Sequence, residues 1–510
     1  MPTGLRDRLR LIQSHRSLVP IGRILPARTT TGTLVRLGIV AAFFVAAWYA
    51  VQMFGRPYVF FDLKIYHGAV AYWANGGSLY DYLDPDVPLG FTYPPFAALV
   101  MLPMGYLPML DAAWINVGAS MLVLTGVLAA LIAPIAERCG WKHRWFPIAL
   151  AVPIAAALEP MRETFGYGQV NILLFGLIMA DLVALRWMTK PRDTTGRSML
   201  VQRFLSGKWA GVGIGLAAAI KLTPALFIVY LLISRQWRAA WTSIGTLVGV
   251  SALGFVFART ESIAYWTRVV FETNRVGQAD MTPNASLAGL LARLYDQSTA
   301  PGLLWITFTL VILVVGLSRA THAHGEGDEL TAFTLIGLTA NVVSPISWTH
   351  HLVFVVPAVI VLGDAALRRR AASRGMKRRK GFAPSGLATT RLREPIWFPT
   401  MVGFRHAAAA LGLYVLFLVS PIWPYEHQLP AVSHYADGMI GVLAENSFTI
   451  ALIVLVAALP WRPGAEPVYH GEAFSVPAAR RPVTASSHRL HDQNQRVRQE
   501  PVSAHVDDHA

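Results

Sequence analysis

In a chain of 510 residues of which only 14% are charged, a polar group beside an apolar run is a candidate for chemistry, because charge at membrane depth is costly unless it has a role. Asp62 stands in FFDLKIY, with Lys64 and Tyr66 close behind it. It has two readings: a cap on the helix beginning near Leu63, or a general base that takes a proton from a hydroxyl. Lys221 lies among apolar residues three positions before Pro224. It either snorkels to an interface or meets a phosphate. Glu159, Arg162 and Glu163 share helical spacing in EPMRET, which suits an ordinary ion pair or an Arg162 turned toward an anionic head group. Gln169 and Asn171 follow Gly166 and Gly168 and are expected to aim into a site. In SPISWTHH, Trp348 precedes His350 and His351. Neighbours on a helix point about 100° apart, so one of the two is the better candidate for a phosphate ligand or proton acceptor. No HExxH or other ligand spacing accompanies them, and neither a metal nor a cofactor is expected.

The elements that must position these residues are membrane helices. The chain is 54% hydrophobic, and several apolar stretches reach or approach the ~20 residues that cross a bilayer. Hydropathy predicts an all-α polytopic membrane protein with about twelve crossings and both termini inside. Residues 1–31 read as a basic cytosolic tail, 32–461 as the membrane-embedded domain with an outer segment at 55–111, and 462–510 as a disordered cytosolic tail. The 25 residues Trp209–Ile233 read as a hairpin of two short helices turning at Lys221–Pro224. The net charge of +15 resides in loops and tails. Ten Lys and Arg stand against a single Glu between Arg368 and Glu394, which marks a cytosolic insert and makes nucleic acid an unneeded partner. Attraction to anionic inner-leaflet lipid suffices for that insert. The lone Cys139 forms neither a disulfide nor a zinc set. On this topology Asp62, Lys64, Tyr93, Glu159, Arg162, Glu163, Gln169, Asn171, Asn284, Trp348, His350 and His351 all fall at outer ends of spans, as does Lys221 given the hairpin, where chance would scatter them over both faces. A cavity opening outward is expected.

The motifs DLKIY at 62–66, FTYPPFAAL at 91–99, EPMRETFGYGQVNILL at 159–174, GIGLAAAIKLTPALF at 213–227, NASL at 284–287 and SPISWTHH at 344–351 together resemble glycosyltransferase family 87. These are actinobacterial mannosyltransferases of the membrane-embedded C superfamily that depend on polyprenyl-phosphate mannose and form α-(1→2) linkages. One position departs: Ala285 follows Asn284 where the related stretch carries Gln. The resemblance implies an enzyme of the plasma membrane, with its catalytic Asp on an outer juxtamembrane segment. It implies a polyprenyl-phosphate-sugar donor, a glycolipid or lipoglycan acceptor, and inversion at the sugar carbon. A phosphate leaving group needs no general acid. The implied roles are Asp62 as base, Lys221, Arg162 and one of His350 and His351 for the phosphate, and Lys64, Tyr66, Tyr93, Glu159, Gln169, Asn171, Asn284 and Trp348 as substrate contacts. Two alternatives stand beside it: a transferase of arabinofuranose or another hexose from the same lipid carrier, and a lipid or solute transporter, which should show inverted repeats and polar groups at mid-membrane.

Overall fold

The computed structural model describes residues 30–55, 59–86, 89–189, 198–272, 275–380, 403–422 and 438–466. Among these the regular secondary structure is helical, and the only ladder contact is an isolated antiparallel bridge between Asn284 and Trp348. Most of the basic tail before residue 30 and residues 381–394 of the basic insert lie outside the described residues.

Five helices among the described residues are long and apolar enough to cross a membrane: α1 (Thr30–Phe54), α4 (Met109–Arg138), α7 (Asn171–Thr189), α11 (Trp237–Phe257) and α14 (Gly302–Gly325). A sixth arises if α18 (Gly438–Glu445) and α19 (Ser447–Ala458), bent by 63°, form one span. The chain is therefore a multi-pass membrane protein, and among the described residues shorter apolar helices of 10–17 residues stand beside these spans. Of these shorter helices, α5 (Trp145–Ala156) is followed by a separate helix, α6 (Glu159–Tyr167), which Pro160 opens. Proline at the first helical turn lacks only an N–H that has no intrahelical partner anyway. The same device starts α3 (Pro95–Met101) after the Tyr93-Pro94-Pro95 turn.

The expected hairpin is present as α9 (Val212–Ile220) and α10 (Ala225–Ile233). At 1.5 Å per residue each limb is about 14 Å long, roughly half the hydrocarbon thickness. Pro224 caps α10, and Lys221 is extended at φ −147° and ψ 128°, so the helix breaks there. α9 begins beside Ala239 near the start of α11. α10 ends near Tyr230, whose hydroxyl donates to Glu329 at the start of α15 (Glu329–Val343). Both limbs thus start and finish at one end of the molecule, and Lys221 is the tip at the other.

That second end gathers what positions the site: the start of α7, the end of α15, and the first turn of α2 (Phe61–Ala74). The apolar body beneath it packs Phe175, Phe227, Phe333 and Phe354 into one core. A smaller aromatic cluster of Tyr66, Tyr80, Phe91, Tyr93 and Tyr265 supports α2. Burial of such rings is worth roughly 2–3 kcal/mol each, which anchors a short helix otherwise too small to hold itself.

Candidate active site

Asp62 lies in the first turn of α2. It does not cap the helix: the cap position is Phe60, held at φ 54°, with no side-chain cap bond. The Asp62 carboxylate instead accepts the Gln169 Nε2 amide at 2.7 Å. The N-terminal end of α2, the positive end of its helix dipole, favours negative charge at this turn.

Gln169 reaches Asp62 because α6 ends at Gly168, in the left-handed region at φ +69°. A Cβ on Gly168 would stand 2.5 Å from the Cβ of Leu63, so only glycine lets the two segments meet this closely. Gln169 Nε2 also donates to Tyr66 at 3.0 Å, Tyr66 donates to Tyr93 at 3.1 Å, and Tyr93 donates back to Gln169 Oε1 at 2.9 Å. Burial pushes both phenols above their ordinary range, so they are neutral donors at any working pH.

Lys221 is held at the hairpin tip. Its Nζ lies 3.1 Å from Asn171 Oδ1 and 2.9 Å from His351 Nε2, and it stands over the Tyr93 ring at 5.4 Å from the centroid. The turn Thr349–His351 is stitched in place by three contacts. Thr349 donates to Glu163, and the carbonyl of His350 accepts from Asn171 at 3.0 Å and Thr164 at 3.1 Å. The His351 ring is bonded to Lys221, whereas the His350 ring packs edge-on against Tyr167 and His351.

These groups share one cavity of about 910 Å³. Asp62, Tyr66, Tyr93, Gln169, Lys221, Trp348, His350 and His351 line it, with apolar walls from Phe61, Ile65, Tyr265 and Val269. Gly277, at φ +125°, brings its backbone against the Trp348 indole, where a Cβ would meet the ring at 2.8 Å. Among the described residues, no three His, Cys, Asp or Glu side chains gather as a metal site.

Five expected site residues do not line this cavity. Arg162 is the clearest correction. Its guanidinium donates to the carbonyls of Ala157 at 3.1 Å, Leu418 at 2.7 Å and Phe54 at 2.9 Å, and pairs with Glu159 at 3.5 Å. It closes the ends of α1, α5 and α17 (Phe404–Val419), satisfying carbonyls that helix ends leave without partners, and Glu159 is buried as its counter-ion. Lys64 faces Asp84 and Asp86 instead; the bond to Asp86 is the main reason its ammonium is held above the usual lysine range. Asn284 joins two loops: its Oδ1 accepts from Ser347 N at 2.8 Å and its Nδ2 donates to Ala279 O at 2.8 Å. Asn171 lines a small neighbouring cavity of about 50 Å³ behind Lys221.

Other lining residues carried no sequence signal that singled them out. Glu272, Arg275 and Gln278 reach the cavity from the loop after α12 (Arg259–Thr267). Arg275 pairs with Glu272 at 2.7 Å and donates to Tyr80 O at 2.6 Å. In sequence they look like an ordinary i,i+3 surface pair, and the one available hint was their place in a polar loop within an apolar chain.

The chain is similar to several known proteins. The polyprenol-phosphate-mannose-dependent alpha-(1-2)-phosphatidylinositol mannoside mannosyltransferase of Mycobacterium tuberculosis H37Rv is 30% identical over 393 residues, covering 72% of this chain and 86% of that protein. The protein of the same description from Mycolicibacterium smegmatis is 32% identical over 346 residues, covering 63% and 74%. Among solved structures, ArnT from Cupriavidus metallidurans bound to undecaprenyl phosphate superposes with a TM-score of 0.36 at 17% identity, over 84% of this chain and 78% of that one; agreement at this level supports no residue-level conclusion. Glycosyltransferase family 87 matches residues 91–345, half of the sequence. With that match and the extent of the mycobacterial similarity, this chain belongs to glycosyltransferase family 87.

Proposed function

We propose that the protein transfers mannose from polyprenyl-phosphate mannose to a glycolipid or lipoglycan of the cell envelope, with inversion and an α-(1→2) linkage, on the outer face of the plasma membrane and with both termini cytoplasmic. The acceptor hydroxyl oxygen attacks the anomeric carbon. The bond from that carbon to the phosphate oxygen breaks, its electron pair passes to the phosphate, and Asp62 takes the hydroxyl proton. Lys221 and His351 receive the phosphate, which carries one more negative charge after the bond breaks. His350 packs against His351 and keeps its ring in place. Trp348 and the apolar wall offer surface to the sugar and the lipid. The donor and linkage come from the relatives' descriptions.

The observation that carries the reading is that a carboxylate in a helix first turn and an ammonium–imidazole pair line one cavity with apolar walls. A nucleotide sugar would not call for apolar walls of this kind; a lipid-linked donor does. The test is transfer of labelled sugar by membranes supplied with polyprenyl-phosphate mannose. Wild type should form a mannosylated glycolipid, and Asp62→Asn should lose roughly 10²- to 10⁴-fold in rate, the usual contribution of a positioned base, while still expressing as a folded protein. Near-normal transfer by Asp62→Asn would remove Asp62 as the base. Transfer from polyprenyl-phosphate arabinofuranose in place of mannose would replace the sugar assignment and leave the site chemistry standing.

A further inference from the structure

Gln169 touches Asp62, and its own amide is held by a closed ring. Nε2 donates to Tyr66, Tyr66 to Tyr93, and Tyr93 to Oε1, at 3.0, 3.1 and 2.9 Å. The ring uses one amide hydrogen, and the other points at Asp62 Oδ2 at 2.7 Å. Turning the amide over would reverse the direction of the two hydroxyls but set the amide oxygen against a carboxylate, so the Asp62 contact selects the orientation and the ring holds the amide in place. The backbone is pinned as well, because Gln169 N donates to Thr164 O at 2.9 Å. Gln169 and Tyr93 are only 3% and 6% exposed. Buried networks with every member satisfied are rigid, and partly satisfied ones are not.

We propose that Gln169 is a positioning residue for the base, and that the Tyr66–Tyr93 ring anchors its amide where one N–H meets Asp62. An amide N–H can donate but cannot pass a proton on, so this contact orients the carboxylate and favours its ionised form without competing for the proton it is to receive. The ring also ties the two halves of the site together, because the ring face of Tyr93 meets the Lys221 ammonium. The assignment rests on Asp62 acting as the base. It gives Gln169, Tyr66 and Tyr93 a role other than contact with substrate.

The experiment compares Gln169→Glu, Gln169→Ala and Tyr93→Phe in transfer assays over a pH series with donor and acceptor each varied. The titratable groups around Asp62 are Tyr66 on its own helix, Tyr93 from the loop before α3, and Lys221 with His351 from the hairpin tip and the 349–351 turn. Only Gln169→Glu adds a carboxylate. Two carboxylates in contact cannot ionise independently, so the acid limb of kcat/KM should move up by about one pH unit or more. Gln169→Ala should lower kcat by roughly 30- to 100-fold with both KM values within about threefold, because it removes orientation and no ground-state contact. Tyr93→Phe deletes one oxygen, keeps the packing, and should cost a smaller factor of about 3 to 10 in kcat. It serves where the larger changes do not fold. A rise of tenfold or more in either KM at unchanged kcat for Gln169→Ala, or an unmoved acid limb in Gln169→Glu, would make Gln169 a substrate ligand and overturn the assignment. Asp62→Asn in the same series separates the two layers: activity surviving there removes the base itself, whereas an inactive Asp62→Asn with an unmoved Gln169→Glu limb defeats only the positioning role.

Discussion

Two polar clusters at opposite ends of α7 and α15 use similar residues to different ends. At the start of α15, Asp328 accepts from Arg462 N at 2.6 Å, Nε at 3.0 Å and Nη2 at 2.5 Å, and also caps the helix through Thr331 N at 3.2 Å. Arg462 continues to Asp364 at 2.9 Å, which also holds Arg368 at 2.8 Å and Arg138. Glu466 pairs with Arg186 in the last turn of α7. Charge is answered by charge, and the cluster is sealed. At the site end, the Asp62 carboxylate is held by a neutral amide, and Lys221 by an amide oxygen and an imidazole. Here amide and imidazole groups fix the two side chains, which also act on each other electrostatically, and both line the cavity. The sealed cluster secures helices; the open one has its charged groups on a cavity wall.

Substitutions can sharpen or break that contrast. The largest effect is expected from Arg462→Met. It strands Asp328 in the interior, and removing one partner of a buried pair typically costs about 3–5 kcal/mol. Thermal unfolding in detergent should shift strongly downward, while transfer per folded molecule stays within about twofold, because the cluster is remote from the cavity. An unchanged unfolding temperature would mean that the cluster does not secure the helices. Arg162→Gln should come next. It withdraws donors from three helix-end carbonyls, each worth roughly 1–3 kcal/mol when left unpaired in the interior. It should lower thermal stability and leave the apparent donor KM unaltered; a raised donor KM at full stability would restore Arg162 to the phosphate. The smallest effect is expected from Lys64→Ala. Its side chain is 40% exposed, and exposed pairs are worth about 0–1 kcal/mol. Transfer should change by less than about threefold, and a much larger loss would place Lys64 in contact with substrate after all.

The same contrast explains what could be read from sequence. Asp62, Lys221, Gln169 and the His350–His351 pair stood out because polar groups beside apolar runs are rare, and the structure brings them to one cavity. Arg162 stood out equally and was misread: composition reports that a charge is present but not which way its helix turns it. Arg162 and Glu159 lie on the side of α6 that faces helix ends, while Gln169 comes after the left-handed turn at Gly168 that swings the chain back toward Asp62. Asn284 was expected to touch substrate and instead bonds two loops, a distinction made by hydrogen bonds between residues 63 positions apart. Hydropathy located the apolar segments, the short paired limbs of the hairpin among them, but not how many of them cross, because average composition does not fix the length of a helix. It also ended the folded chain at 461, whereas Arg462 is buried and residues 464–466 return to the turn at 326–327. A lone arginine after a tryptophan does not reveal the two aspartates it will meet.

The most direct test of the division of labour within the cavity is equilibrium binding of polyprenyl phosphate, the lipid anion left after transfer, to the wild type, Asp62→Asn and Lys221→Ala. Asp62→Asn should bind it as tightly as wild type or more tightly, since a negative charge has been removed, and Lys221→Ala should bind it at least about tenfold more weakly, the loss of a charge-assisted contact. Equal affinity in wild type and Lys221→Ala, or loss of binding in Asp62→Asn, would contradict the assignment of base to one and phosphate to the other.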